Sequence, residues 1–343
     1  MNREGTVKKV SSVTARLAGI AATVCTVIAA SAVMAFAGGY SVTNLGTLTG
    51  GAQSEGDGIN NFGQAAGSAY TSSGLVHAVL FSHGTVTDLG TLLGDTQSEA
   101  YAINDLGQAV GSSYPASGSG RAVLFSRGTV TDLGGGTDST ALGINDLGQA
   151  VGWVTIGGIY ERAVLFSHGT VTDLGTLPGG AQSWARAINN FGQAVGASAT
   201  ASDLVHAVLF SHGTVTDLGT LPGDTYSEAD GINNLGQAVG VSANGDGPDH
   251  AVLFSHGTVT DLGTLPGSTG SVALGINDFG QAVGFATIGN YEHAVLFSHG
   301  TVTDLGTLPG GTLSVACGIN DLGQAVGVSD GRAVLFSHGT AAR

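Results

Sequence analysis

The sequence predicts an all-β protein, a seven-bladed β-propeller of four-stranded antiparallel blades, closed by an N-terminal strand that completes the last blade. Three observations support this prediction: seven copies of one repeat, four short strand patterns in each copy, and termini that each carry part of one copy. The chain has 343 residues, and successive copies are 41 to 44 residues apart. Repeats of this length are typical of propellers and of helical arrays.

Each copy contains an Ile-Asn pair in its first strand pattern. The isoleucines are Ile59, Ile103, Ile144, Ile188, Ile232, Ile276 and Ile319. Apolar residues alternate in short runs that Gly, Asn and Asp interrupt, and none of these runs has helical periodicity. The copies are therefore made of strands, which excludes a helical array.

The second copy shows the strands in order. We predict strand a at residues 100–104, strand b at 108–113, strand c at 122–126 and strand d at 129–133. The Asn-Asp-Leu-Gly sequence between a and b is typical of a type I turn that ends in a left-handed glycine. A two-residue His-Gly or Arg-Gly connection joins c to d. Four antiparallel strands joined in this way form one propeller blade.

The two ends of the chain carry complementary parts of one blade. The seventh copy stops after strand c at residues 333–336, and residues 41–46 match strand d with no other strand before them. A ring that takes its last outer strand from the N-terminus explains both observations, whereas an open array would need polar caps. The residue before each Ile is always Gly or Ala, which we expect to let the inner strands approach one another closely.

Residues 1–37 differ from the repeats and predict a secretory signal peptide, followed by the propeller at 38–343. The basic residues of this segment are Arg3, Lys8, Lys9 and Arg16. Residues 17–35 are apolar, and Ala-Phe-Ala at 35–37 is a typical cleavage site. The predicted location is therefore secreted, either extracellular or periplasmic. The alternative is an uncleaved membrane anchor, because about 20 apolar residues can span a bilayer.

Charge and cysteine content narrow the range of partners. The formal net charge is −15, and both lysines lie in the predicted signal peptide. Nucleic acids and anionic membrane surfaces are poor partners for such a chain, because both bind basic surfaces. We expect no membrane association after cleavage, and a monomer. Cys317 is the only cysteine after residue 37, so ring closure rather than disulfides must stabilise the fold.

The repeat unit resembles a known family. The segments His-Ala-Val-Leu-Phe, Gly-Thr-Val-Thr-Asp-Leu-Gly-Thr-Leu, Ala-Ile-Asn and Gly-Gln-Ala-Val-Gly are similar to the bacterial HAF repeat, a probable extracellular repeat, over residues 40–340. Val79 departs from the family's Phe in the name-giving triplet, and Arg replaces His at Arg121, Arg162 and Arg332. The resemblance implies export and a repeat fold, and it implies no established activity.

Histidine recurs at the c–d turn and aspartate in strand d, each in six of the seven copies. A metal site or acid–base chemistry would need these groups to converge, yet one residue per blade at the outer rim forms a wide circle. We therefore interpret the turn histidines as residues that tolerate left-handed backbone angles. The strand d aspartates are interpreted as charges that protect an exposed edge.

The candidate ligand-binding residues lie where the sevenfold repetition breaks down. They occupy the positions four and two residues before each Ile, where inner strands converge on the axis. They are Glu55, Asp57, Glu99, Tyr101, Trp184, Arg186, Glu228 and Asp230. These side chains should share one funnel, acidic and aromatic on one arc and apolar on the other, near the variable b–c loops.

Several functions are compatible with this funnel. Aromatic faces with carboxylates suit sugar rings, so we favour a binding module for carbohydrate or a cell-envelope polymer. Calcium is a further possible ligand, and no other cofactor and no metal residue is predicted. The alternative is a purely structural repeat protein in which these positions only pack. A glycoside hydrolase is less favoured, although Glu55 or Asp57 with Glu99 could supply two carboxylates, and no catalytic residue is assigned.

Overall fold

The computed structural model describes residues 39–245 and 247–338. The predicted signal peptide lies outside these residues. Twenty-eight strands form seven four-stranded antiparallel sheets arranged in a ring. The predicted seven-bladed β-propeller is confirmed. Within the described ranges, no helix has the length and apolar character needed to cross a membrane.

In blades 1 to 6 the strands run in chain order from the innermost to the outermost. Blade 1 contains β2 (Ser54–Ile59), β3 (Ala65–Tyr70), β4 (Val76–Ser82) and β5 (Thr85–Asp88). Blade 2 contains β6 (Gln97–Ile103), β7 (Ala109–Tyr114), β8 (Arg121–Ser126) and β9 (Thr129–Asp132). Blade 3 contains β10 (Ser139–Ile144), β11 (Ala150–Ile156), β12 (Tyr160–Ser167) and β13 (Thr170–Asp173). Blade 4 contains β14 (Ser183–Ile188), β15 (Ala194–Ala199), β16 (Val205–Ser211) and β17 (Thr214–Gly219).

The remaining three blades follow the same plan. Blade 5 contains β18 (Tyr226–Ile232), β19 (Ala238–Ala243), β20 (Asp249–Ser255) and β21 (Thr258–Asp261). Blade 6 contains β22 (Gly270–Ile276), β23 (Ala282–Ile288), β24 (Tyr291–Ser298) and β25 (Thr301–Asp304). Blade 7 contains β26 (Ser314–Ile319), β27 (Ala325–Ser329), β28 (Arg332–His338) and, as its outer strand, β1 (Tyr40–Asn44). Strand a of the second copy begins three residues earlier than predicted, at Gln97.

The ring closes through β1, as the sequence predicts. Strand β1 pairs antiparallel with β28, with Val42 opposite Phe336 and Tyr40 opposite His338. The Tyr40 hydroxyl and Nε2 of His338 are 2.8 Å apart. Val42 is buried in the core of blade 7 with Phe336. The first and last described segments of the chain are therefore joined in one sheet.

A β-bulge occurs in every inner strand at the residue two positions before the Ile. In β10, Ala141 pairs with Gly152 and Gly143 pairs with Val151, so Leu142 between them has no partner in the ladder. The same irregularity recurs in the inner strands of the other six blades. An extra unpaired residue bends the strand and redirects its side chain. All seven candidate positions of this type are therefore bulge residues, which the sequence analysis did not predict.

The small residue before each Ile lies at a close approach of neighbouring inner strands. A Cβ added to Gly143 would lie 2.9 Å from Cα of Ala187 on the next blade, and one added to Gly58 would lie 3.0 Å from Cα of Ala102. Larger side chains would force these strands apart. The predicted crowding of the inner strands around the axis is confirmed.

Antiparallel connection gives the propeller two different faces. The a–b and c–d turns lie on one side, which we call the turn face. The b–c loops and the d–a connections lie on the other side, which we call the loop face. The seven a–b turns share one Asn-Asx-Phe/Leu-Gly design, whereas the b–c loops differ in length and sequence.

Candidate functional site

Four of the predicted residues meet between blades 1 and 2 on the inner strands, and we call this group the acid cluster. It consists of Glu55, Asp57, Glu99 and Tyr101. The Tyr101 hydroxyl donates to Oε2 of Glu99 at 2.5 Å. The Tyr114 hydroxyl of strand β7 donates to the same oxygen at 3.3 Å. The bulge at Tyr101 and the alternation of the strand thus place one phenol and one carboxylate side by side.

Burial and mutual repulsion alter the protonation of this cluster. Burial, together with the neighbouring Glu99 carboxylate, raises the pKa of Glu55 to about 7. Burial also raises the pKa of Asp57 well above its usual range, and Glu55 and Glu99 add to this rise. Close carboxylates cannot all ionise at once. The acid cluster therefore retains protons at neutral pH.

Cys317 of blade 7 lies next to two of these acids. Its sulfur and one carboxylate oxygen each of Glu55 and Asp57 all lie within 4.8 Å of one another. Burial raises the pKa of the Cys317 thiol well above its usual value, and the nearby carboxylates act in the same direction. The thiol is consequently protonated at neutral pH and is a poor nucleophile.

Three further predicted residues meet between blades 4 and 5, and we call this group the arginine cluster. The Arg186 guanidinium of β14 forms an ion pair with Glu228 of β18, and its Nε lies 3.5 Å from Oδ1 of Asp230. The Tyr226 hydroxyl donates to the other Glu228 oxygen at 2.7 Å. Glu228 is 0% exposed. Its side chain therefore bonds within the protein, and an incoming ligand would have to displace these contacts.

The charges in the arginine cluster do not balance. Burial and the Glu228 carboxylate raise the pKa of Asp230 to about 8, although Arg186 acts in the opposite direction. One guanidinium faces two carboxyl groups, and Oδ2 of Asp230 is buried without a hydrogen-bond partner. Protonation of Asp230 at neutral pH resolves this imbalance, since it leaves one cation beside one anion.

Trp184 is placed differently from the other predicted residues. Its side chain packs with Ala197, Val205, Trp153 and Tyr226, and it is 8% exposed. The indole N–H donates to a Glu161 oxygen at the start of strand β12 in blade 3. The indole face is therefore covered by protein in this structure. The opposite arc of the ring is apolar, with Val272, Leu274 and Val315 in one cluster.

The ends of the inner strands at the turn face form a site that the sequence pattern did not reveal. The asparagine after each Ile donates from Nδ2 to the main-chain oxygen of its counterpart on the next blade, at 3.0 Å in every case. These seven bonds form a closed circle, which we call the asparagine ring. Its members are Asn60, Asn104, Asn145, Asn189, Asn233, Asn277 and Asn320. Each asparagine is buried.

A second circle lies next to the asparagine ring, and we call it the Asx ring. The main-chain N–H of each member donates to the side-chain Oδ1 of the next member around the axis. The members are Asn61, Asp105, Asp146, Asn190, Asn234, Asp278 and Asp321. Together with the isoleucines and the asparagine ring they line a cavity of about 200 Å³. The cavity opens on the turn face.

The Ile-Asn-Asx sequence carried the signal for this site. Within one copy, turn formation is a sufficient reason for Asn and Asp at these positions. Their second role, the hydrogen bonds between blades, is visible only when the copies are compared. The strict recurrence of Asn directly after Ile is the signal of a bond between equivalent positions of neighbouring blades, and closure of the ring adds the last of these bonds, from Asn320 to Asn60.

The recurring outer residues form structural pairs. In strand d of blade 4, Asp217 accepts from the N–H of Gly219 at 2.8 Å, and its other oxygen lies 2.8 Å from Nδ1 of His206. The c–d turn histidines, such as His83 with φ of 51°, adopt left-handed backbone angles. The interpretation of these histidines as turn residues is confirmed.

Comparison with known proteins supports the fold. No protein-family model and no curated protein sequence matches the chain. A prolyl endopeptidase structure is similar with a TM-score of 0.57 and 12% identity over 85% of this chain, which spans about half (49%) of that protein. Virginiamycin B lyase from Staphylococcus aureus has a TM-score of 0.53 and 11% identity, covering 87% of this chain and 99% of the lyase. A streptogramin B lyase gives 0.52 and 12%, covering 87% and 97%. At these identities the likeness extends to the propeller fold alone.

Proposed function

We propose that this protein is an exported binding module whose acid cluster takes a neutral, hydroxyl-rich ligand, either carbohydrate or a cell-envelope polymer. One observation carries the proposal: the carboxyl groups of Glu55, Asp57 and Glu99 lie together with the Tyr101 phenol on the inner strands of two adjacent blades. Protonated carboxyls and phenols donate hydrogen bonds, and ionised carboxylates accept them. Sugar hydroxyls both donate and accept, so they match such a mixed set.

The surroundings of Glu55 suit a small part of such a ligand. A pocket beside Glu55 is lined by Tyr70, Gln53, Ser68 and Val328, which combines an aromatic wall with polar groups. Ligand sites commonly join apolar walls to a few polar groups that fix orientation. The variable b–c loops of blades 1 and 7 lie on the same face, where differences between blades can select the ligand.

A glycan-binding assay tests the proposal. The protein, produced from the full-length chain, is applied to an array of bacterial and plant glycans beside the variants Glu55→Gln and Glu99→Gln. We expect wild-type binding to at least one glycan class, with a loss of more than about tenfold in both variants. Asp132→Asn on the outer strand is the matched control and should bind as the wild type does. Absence of binding by the wild type to every glycan would support the structural-repeat alternative.

The same assay separates binding from hydrolysis. A glycoside hydrolase would shorten the bound glycan, and product release would stop in Glu55→Gln and Glu99→Gln. We expect the bound glycans to be recovered at their original length. Shortened products that depend on Glu55 and Glu99 would replace the binding module with an enzyme.

A metal ion is the second candidate ligand, favoured by the approach of Glu55, Asp57 and Cys317 within 4.8 Å. Calcium prefers oxygen ligands, whereas a thiolate suits softer ions such as zinc. Calcium binding thus stays a prediction, and it concerns only the carboxylates of Glu55 and Asp57. Thermal unfolding with each cation distinguishes the cases, because a ligand of the folded state raises the melting temperature. A zinc shift that disappears in Cys317→Ser would identify the mixed site.

A further inference from the structure

The turn face exposes a closed circle of large apolar side chains, which we call the apolar collar. Each belongs to the residue directly after the Asx ring member of its blade, and each is between 65% and 70% exposed. The collar consists of Phe62, Leu106, Leu147, Phe191, Leu235, Phe279 and Leu322. A single exposed apolar residue is ordinary, but one at the same position of every blade concentrates apolar surface around the cavity, and concentrated apolar surface marks an interaction surface.

Local structure does not account for the collar. The turn is already fixed by the asparagine, whose Oδ1 accepts two main-chain N–H groups, and by the glycine that follows. A polar residue would fit the exposed corner between them equally well. All seven blades nevertheless carry Phe or Leu there. The collar is therefore best explained by a partner that covers it.

The collar surrounds an acidic mouth. Four members of the Asx ring are aspartates, and the Oδ2 atom of each accepts a hydrogen bond from the side-chain amide of a ring asparagine. Oδ2 of Asp146 accepts from Asn190 at 2.7 Å, and Oδ2 of Asp278 accepts from Asn234 at 2.8 Å. Asn61 bridges Asp105 and Asp321. Within residues 39–245 and 247–338, no arginine or histidine forms an ion pair with these four carboxylates. Neutral amides hold the carboxylates in place without compensating their charge.

We propose that the turn face docks a polypeptide segment that presents one lysine or arginine between apolar residues. The cationic head enters the 200 Å³ cavity toward the four aspartates, and its aliphatic stem and apolar neighbours cover the collar. Long basic side chains combine an apolar stem with a charged head in this way. This inference is independent of the loop-face ligand, because it concerns the opposite face of the propeller.

Charge complementarity selects this occupant over two others. A second copy of the chain, docked face to face, would bring two rings of four carboxylates together, and like charges across an interface are costly. A lipid surface would bury the carboxylates against hydrocarbon without a partner, which is also costly. A basic apolar segment satisfies the acidic mouth and the collar at the same time.

A peptide library tests the proposal. Immobilised nine-residue peptides carry Lys, norleucine or Glu at the centre and mixtures of Leu, Phe, Ser and Gly at the flanks. We expect the protein, produced from the full-length chain, to be retained by peptides with central Lys and Leu or Phe flanks, at least about tenfold above those with norleucine or Glu. Retention that does not depend on the central residue would overturn the proposal.

Two variants assign the retention to this face. Replacing all four ring aspartates by Asn should abolish the preference for Lys, and Asn already occupies three of the seven ring positions, so the fold should tolerate the change. Replacing Phe62, Phe191 and Phe279 by Ser should abolish the preference for apolar flanks. Ile159→Ser, which removes an exposed side chain from a b–c loop of the loop face, is the matched control and should change neither.

The remaining outcomes decide against the proposal. If analytical ultracentrifugation shows that the wild type is a dimer and that the variant with Phe62, Phe191 and Phe279 replaced by Ser is a monomer, a second copy of the chain is the occupant of the collar. Flotation with neutral phosphatidylcholine vesicles that depends on the same phenylalanines would identify a lipid surface. Circular dichroism of each variant confirms that it is folded before the comparison is made, and equal retention of wild type and folded variants would also refute the inference.

Discussion

The asparagine ring leads to a quantitative prediction at Asn145, where Asn145→Asp changes two donors into acceptors at nearly constant volume. In the wild type, Nδ2 of Asn145 donates to Oε1 of Gln149 at 2.9 Å and to the main-chain oxygen of Asn189 at 3.0 Å. Its Oδ1 accepts from the N–H groups of Leu147 and Gln149. All four hydrogen-bonding positions of this side chain are therefore used.

The expected cost follows from the two donors that are lost. Each hydrogen bond contributes about 1 kcal/mol, and each buried acceptor left without a donor costs about 1 to 3 kcal/mol. The residue is only 3% exposed, so the new carboxylate is also poorly solvated. The two acceptors left without a donor dominate the cost, so we expect the free energy of unfolding to fall by roughly 2 to 6 kcal/mol.

Urea unfolding followed by circular dichroism measures this change. Asp105→Asn is the matched control, because Asn occurs at the equivalent position in blades 1, 4 and 5 and Oδ1 still accepts from the Asn61 N–H. Its effect should stay below about 1 kcal/mol. Equal losses of stability in the two variants would refute the idea that the asparagine ring, rather than turn chemistry alone, fixes these asparagines.

Three other predictions follow from the structure. Val42→Asp places a charge in the closing strand opposite Phe336 and should destabilise the fold by about 3 kcal/mol or more, with faster hydrogen exchange in blade 7 than in blade 4. The pKa of Glu55 is raised to about 7 in the folded state from an ordinary 4.5, so the folded state binds more protons than the unfolded state between these pH values, and the free energy of unfolding should fall as the pH rises from about 4.5 to 7. Glu55→Gln should flatten this dependence of stability on pH, and an unchanged dependence would contradict the raised pKa of Glu55. In Gly143→Val the new side chain meets the Ala187 backbone, which should lower the free energy of unfolding by about 1 to 3 kcal/mol. Gly157→Ala in an exposed loop measures the cost of a positive φ alone. A loss of stability at Gly143 no larger than the loss at Gly157 would count against crowding between the inner strands.

The fold could be predicted from the sequence because its causes are local and repeated. The alternation of apolar and polar residues, the turn glycines and the outer strand missing from the last copy can all be read from the sequence. Strand β1 supplies that outer strand as predicted. The bulges could not be predicted in the same way. Each depends on how two adjacent strands match their lengths around the Ile, and no residue type marks the unpaired position, since it is Asp57 in one blade and Leu142 in another.

The candidate site could be predicted in position but not in its internal pairing. Spacing from the Ile placed Glu55 with Glu99, and Arg186 with Asp230, at corresponding heights of neighbouring blades, whereas the structure pairs Arg186 with Glu228. Whether such residues face a ligand or one another depends on side-chain reach and on neighbouring loops. Trp184 illustrates this point, because its indole is covered through contacts that include Glu161 from strand β12 of blade 3.

Closure explains why a chain with one cysteine after residue 37 can form a stable ring of such short strands. Each asparagine donates to the next blade and receives from the previous one, and the last bond runs from Asn320 back to Asn60. An open array would lose that bond and the matching Asx-ring bond from Asp321 to Asn61, besides the pairing of β1 with β28. Chains of hydrogen bonds polarise one another, so a circle without ends strengthens every member. The same circle fixes seven turns in one orientation, and this repeated geometry places one exposed Phe or Leu of every blade around the acidic mouth.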